Sequence, residues 1–250
     1  MHLVVPRSLR RLHRVQHAFG PLSAVLFQIM GRGALDAGLE DELDLGAPFA
    51  LDAERFLRWF EQELERRRIP FALAGGDLIE HSLSHARWSI VACAGGLERD
   101  IVRAASRALK DGKAVSLGPH FPQRDENWAP REPPGALRHA FRGGVPVMLD
   151  FDPARLTTIV DDAVRELGLA SFEASPTELS LTVHQDATAR PRVLFAINPV
   201  SYPLEARVNA SAFGAERADD LLDGESFHAS FGFFELTVPP RTVRMLALRS

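Results

Sequence analysis

Up to about residue 170, short segments that are largely apolar alternate with longer segments that are apolar along one stripe only. The clearest case is "RWSIVACAGG" (87–96) followed by "LERDIVRAASRALKDG" (97–112). A strand apolar throughout must be covered on both faces, and helices between such strands supply the cover. "HLVVP" (2–6), "IPFALAGG" (69–76), "KAVSLGP" (113–119) and "VPVMLD" (145–150) read as further strands, and "SLRRLHRVQHAF" (8–19) as a helix. "LDAERFLRWFEQELERRR" (51–68) reads as a helix N-capped by Asp52, with Phe56, Leu57, Phe60 and Leu64 on one stripe. "PARLTTIVDDAVRELG" (153–168) reads as a helix closed by Gly168. This order predicts an α/β layer, a doubly wound parallel sheet.

Beyond residue 170 the period shortens. "TELSLTVHQD" (177–186), "RVLFAINP" (192–199), "LEARVNAS" (204–211), "FGFFELTVPP" (231–240) and "TVRMLALRS" (242–250) alternate apolar and polar residues. Turn residues separate them, which predicts a small antiparallel β-sandwich. The expected domains are therefore 1–170 and 171–250, with the boundary within 169–176.

The bulk properties narrow the function classes. A net charge of -4 over 250 residues gives no general basic face, so nucleic acid is not an expected partner. No apolar run approaches the roughly 18 residues of a membrane span, so no membrane partner is expected either. The opening "MHLVVPRSLRRLHRVQH" has too short an apolar core for a secretory signal. With a single cysteine there is no internal disulfide framework, and the expected location is the cytoplasm.

Cys93 ends an apolar strand before a Gly-Gly turn, where a nucleophile elbow would place its reactive side chain. Gly95, two residues on, fits the tight turn, and Val91, two residues before, does not. A thiol nucleophile also needs a base, and His120 follows a later strand, although Pro122 stands where an orienting acid would be expected. A cysteine in such a strand is most often a small buried hydrophobe, and Cys93 is expected to be inert. The segment 119–144, "PHFPQRDENWAPREPPGALRHAFRGG", holds five prolines and reads as a long loop. Connections of this length tend to be functional or interface-forming. Its His120, Asp125, Glu126 and Trp128 are the candidate binding or interface residues, with Trp128 offering a flat face to a sugar ring.

Two histidine pairs have helical spacing, His13 with His17 and His81 with His85. Neither carries the glutamate of H-E-x-x-H, since Arg14 and Ser82 hold that position, and no third ligand is evident, so no metal is expected. The glycine pairs 75–76 and 95–96 make neither a dinucleotide fingerprint nor a P-loop, and no cofactor is expected. "NAS" (209–211) matches a glycosylation sequon without a secretory context.

"VLFAINPVSYPLEARV" (193–208), "DDLLDGESF" (219–227) and "FELTVPPRTVRMLAL" (234–248) resemble the small C-terminal β-domains of many glycoside hydrolases. "RRRIPFALAGGD" (66–77), "WSIVACAGG" (88–96) and "ALKDGKAVSLG" (108–118) resemble a second module of such enzymes. That module is the flavodoxin-like trimerisation domain of family 42 β-galactosidases, itself related to class I glutamine amidotransferases. The resemblance covers about 50–250 and leaves residues 1–50 unmatched. It implies a non-catalytic role in subunit assembly, with a homo-oligomer, a trimer favoured, and a carbohydrate ligand as the partners in view. No segment can form eight βα units, which need about 250 residues of their own, so no catalytic glutamate is carried over. Two rivals stay open. One is an amidotransferase-like or esterase-like enzyme around Cys93 and His120, and the other a carbohydrate-binding module using Trp128.

Overall fold

A computed structural model describes residues 1–19, 49–127, 129–132, 135–138, 141–169, 171–186 and 190–249. It divides into two compact units, 1–63 with 71–169 and 64–70 with 170–250. The second unit joins Leu64–Pro70 to 170–250: the Phe172 N–H donates to the Arg68 carbonyl at 2.8 Å, and the Arg68 guanidinium to the Pro176 carbonyl at 2.8 Å.

In the first unit, β1 (His2–Val4), β2 (Ala72–Ala74), β3 (Trp88–Cys93) and β4 (Ala114–Pro119) form a parallel sheet in the order β2-β1-β3-β4. Its register pairs His2 with both Ala72 and Ser89, and Trp88 with Ala114. Beyond β4, Leu117 N–H donates to Val147 O and Leu149 N–H to Leu117 O, each at 2.8 Å, so 147–149 runs alongside it. The helices are α1 (Arg7–Phe19), α2 (Phe49–Arg66), α3 (Ile79–His85), α4 (Arg99–Lys110) and α5 (Pro153–Leu167).

All six residues of β3 are buried, and the two faces have different cover. Val91 and Cys93 pack in one cluster with Ile79 and Leu83 of α3 and Ile101, Val102 and Ala105 of α4. Ala92 packs in another with Leu9 and Leu12 of α1 and Ala50 and Ala53 of α2. The indole N–H of Trp88 inside this core is satisfied. Trp88 Nε1 donates to Ser116 Oγ at 2.9 Å, and that hydroxyl donates to Pro146 O at 2.6 Å.

Several element readings need adjustment. The sequence reading places no helix at 79–85, yet α3 forms there. Helix α2 begins at Phe49, so Asp52 sits in its first turn rather than at its cap. The segment 119–144 is not bare loop: Gly135–Arg138 make a 3-10 turn, and β5 (Phe141–Arg142) pairs with β6 (Val145–Pro146). Gly143 and Gly144 both have positive φ, as the two-residue turn of that hairpin requires. α5 forms where the sequence places a helix, opened by Pro153 and closed by Gly168 at φ 57°; Asp152, which the sequence reading does not single out, caps it by accepting from the Ala154 amide at 3.0 Å.

Among its described residues the second unit contains β-strands and short turns besides its 64–70 piece. β7 (Ala174–Ser175), β10 (Leu204–Asn209) and β13 (Phe233–Val238) form one antiparallel sheet in the order β13-β10-β7. β8 (Ser180–Gln185), β9 (Pro191–Ile197), β11 (Arg217–Asp220), β12 (Ser226–His228) and β14 (Val243–Arg249) form a second, in the order β12-β11-β14-β9-β8. The inward residues of both meet in one core, Leu204, Ala206, Val208, Phe234 and Leu236 with Leu194, Ala196, Leu246 and Leu248. Among the described residues no helix is long and apolar enough to cross a membrane.

Candidate functional site

The carboxyl ends of β3 and β4 bring together most of the candidate residues. Cys93 pairs with Pro119 across the strands, and the His120 amide donates to the Cys93 carbonyl at 3.2 Å. The Cys93 side chain is fully buried, with Sγ 3.9 Å from the Gly96 carbonyl. Burial pushes its thiol up to about 12, against a smaller lowering by the Gly95 amide. A thiol so held is protonated at neutral pH, whereas a nucleophile must reach the thiolate. Nor is Cys93 among the residues with positive φ, so its backbone lacks the strain of a nucleophile elbow.

His120 has a neighbour that the sequence did not reveal. Its Nε2 lies 3.4 Å from Asp52 Oδ2 without making a hydrogen bond, and its ring packs against Phe49 at 4.5 Å. Both neighbours come from the first turn of α2, nearly 70 residues away in the chain, so no local motif could have signalled them.

Asp125 and Glu126 hold the loop to the start of α4. Asp125 is buried and accepts from the Arg99 guanidinium at 2.7 Å and from the Asn127 and Ala129 amides at 2.9 and 3.1 Å. The Arg99 hydrogen bond is the main reason its carboxyl lies below the ordinary carboxylate value. Glu126 accepts from the Arg99 amide at 3.1 Å, satisfying an orphan N–H of the helix start. The loop also pairs with the β3–α4 turn, through the Arg124 amide to Gly95 O and the Leu97 amide to Arg124 O, each at 3.1 Å. These carboxylates are engaged in positioning backbone. Trp128 lies outside the described residues.

The His81 and His85 rings stack at 4.1 Å, and among the described residues no group of three His, Cys, Asp or Glu side chains could hold a metal ion. The side chains of His13 and His17 lie outside the described residues.

No protein-family description matches the sequence, and no curated protein matches it. Solved structures do resemble its fold. Gan42B, a GH42 β-galactosidase, superimposes with a TM-score of 0.57 at 12% identity over 78% of this chain and 36% of its own. A catalytic mutant of the same enzyme, from G. stearothermophilus, gives 0.55 at 13% identity over the same shares. The β-galactosidase of Bacillus circulans sp. alkalophilus gives 0.58 at 15% identity, over 84% of this chain and 40% of its own. The chain therefore spans about two fifths of the length of the enzymes whose fold it shares, and its fold is that of a partial, GH42-like region.

Proposed function

We propose that this chain is a non-catalytic, assembly-forming region of a GH42-type glycoside hydrolase, β-galactosidase-like, acting in the cytoplasm. Its first unit is read as the flavodoxin-like, class I amidotransferase-like trimerisation domain and its second as the C-terminal β-sandwich. The observation that carries this reading is the coverage: one superposition takes in most of this chain and only 36–40% of the β-galactosidases. The strand order β2-β1-β3-β4, continued by 147–149, supports the flavodoxin-like reading, since that fold runs 2-1-3-4-5. The buried thiol of Cys93 supports a scaffold that works by assembly rather than by nucleophilic attack. The parent enzyme's chemistry would then reside in a barrel outside these residues, which needs about 250 residues of its own.

An antibody against this chain tests the reading in the source cells. A band above the 27.6 kDa of these residues by at least the mass of a barrel is expected. A band at 27.6 kDa would contradict a hydrolase parent. A second reading, an enzyme using Cys93, draws on the His120–Asp52 pair beside it. It requires that Cys93→Ala abolish a measurable hydrolysis of ester or amide substrates.

A further inference from the structure

The polar face of α1 is unusually basic for a chain of net charge -4. Arg7, Arg10, Arg11 and Arg14 recur at the spacing that puts them on one side of a helix, and α1 contains no carboxylate. Arg99 and Arg103 of α4 stand on the other side of a cleft of about 800 Å³, a size suited to a small molecule. The lining of the cleft joins these six arginines to three carboxylates, Glu98, Asp100 and Glu126.

Those carboxylates have other work. Glu98 is 8% exposed and accepts from the Ser8 amide at 2.7 Å and its hydroxyl at 3.0 Å, so the start of α1 is already filled from within. Glu126 accepts from the Arg99 amide, and Asp100 from the Ile101 amide at 2.8 Å. Arg7 pairs with Asp77 at 2.9 Å, and Arg99 with Asp125 at 2.7 Å. Among the described residues, Arg10, Arg11, Arg14 and Arg103 have no ion-pair partner. Arg7 with Arg11, Arg10 with Arg14 and Arg99 with Arg103 are like-charge pairs at i,i+4, which repel one another.

The place matters as much as the charge. The chain leaves β1 toward β2 on one side and returns to β3 on the other, so strand order reverses between β1 and β3. Ligands of open parallel sheets gather at such a point, beyond the carboxyl ends of the strands. α1 follows β1 and α4 follows β3, and the arginines line the crevice between them. Guanidinium forks match phosphoryl oxygens two at a time, and several of them match phosphates that lie close together.

We infer that this cleft binds a small molecule carrying a diphosphate or a similarly close pair of phosphoryl groups. This stands apart from the accessory reading and from Cys93. Isothermal titration of the full chain with inorganic pyrophosphate tests it, with orthophosphate and citrate as comparisons. Saturable binding is expected, at least about tenfold tighter for pyrophosphate than for either comparison anion. Arg10→Gln, Arg14→Gln and Arg103→Gln together should weaken it at least about tenfold. The combination Arg138→Gln, Arg155→Gln and Arg165→Gln, exposed arginines away from the cleft, should leave it unchanged. With the unaltered chain, binding should also weaken as salt rises from about 20 to about 200 mM. Absence of binding, equal loss in the two triple variants, or citrate binding as tightly as pyrophosphate would overturn the inference.

Discussion

Cys93 illustrates how one residue's surroundings decide its chemistry. It occupies the strand end where a nucleophile would stand, with His120 just past the end of the neighbouring strand and Asp52 beside His120. Yet its thiol is buried and pushed up to about 12, chiefly by loss of water. The folded chain should therefore resist iodoacetamide at neutral pH over hours and react fully once unfolded in guanidinium. Rapid alkylation of the folded chain, followed by mass spectrometry, would show an accessible thiolate. Asp220 shows the opposite balance. Burial raises its pKa, but hydrogen bonds from Arg244 at 2.9 Å and from the Leu222 and Asp223 amides outweigh that, and the value ends below the ordinary one. A lowered carboxylate pKa stabilises the fold above the unfolded value of about 3.9. That contribution fades as pH falls through the lower, folded value. Asp220→Asn should flatten the acid limb of stability against pH, measured by thermal unfolding. Arg244→Ala, which strands Asp220 without its partner, should cost on the order of 3 kcal/mol.

At the scale of elements, what the sequence disclosed depended on how local each cause is. α5 was legible in its extent because its signals are local, Pro153 at its start and Gly168 just past its end, while its cap, Asp152, is supplied by the residue immediately before it. β3 was legible because five of its six residues are apolar, Ser89 being the exception. α3 was missed because its seven residues, Ile79–His85, carry only Ile79 and Leu83 as large buried side chains, too few for a visible stripe. The His120–Asp52 and Asp125–Arg99 contacts were hidden for another reason, since each joins elements distant in sequence. Gly118 belongs with these. A methyl group there would run into the Leu149 carbonyl and lie 2.9 Å from the Phe56 ring, so β4, 147–149 and α2 can meet only over a bare backbone. Gly118→Ala should therefore cost about 1–3 kcal/mol in a denaturant melt, the usual penalty for overpacking. An unchanged midpoint would mean that the neighbours move aside freely.

For the whole molecule, composition and periodicity disclosed a mixed α/β part followed by strands, and the structure adds a parallel four-stranded sheet, the β5–β6 hairpin and two larger antiparallel sheets. The candidate site was less legible. The residues that cluster at the strand ends were named, but their roles as loop anchors depend on Arg99 and on helix starts that only the fold brings near. The basic stripe of α1 was plain in "RSLRRLHR", but the two arginines facing it come from α4, some 90 residues on. The central claim, that this scaffold serves by assembly, is tested most directly by the mass of the purified chain in solution. Light scattering over a range of micromolar concentrations should give a constant oligomer, near three times 27.6 kDa. A particle that stays at 27.6 kDa throughout that range would contradict it.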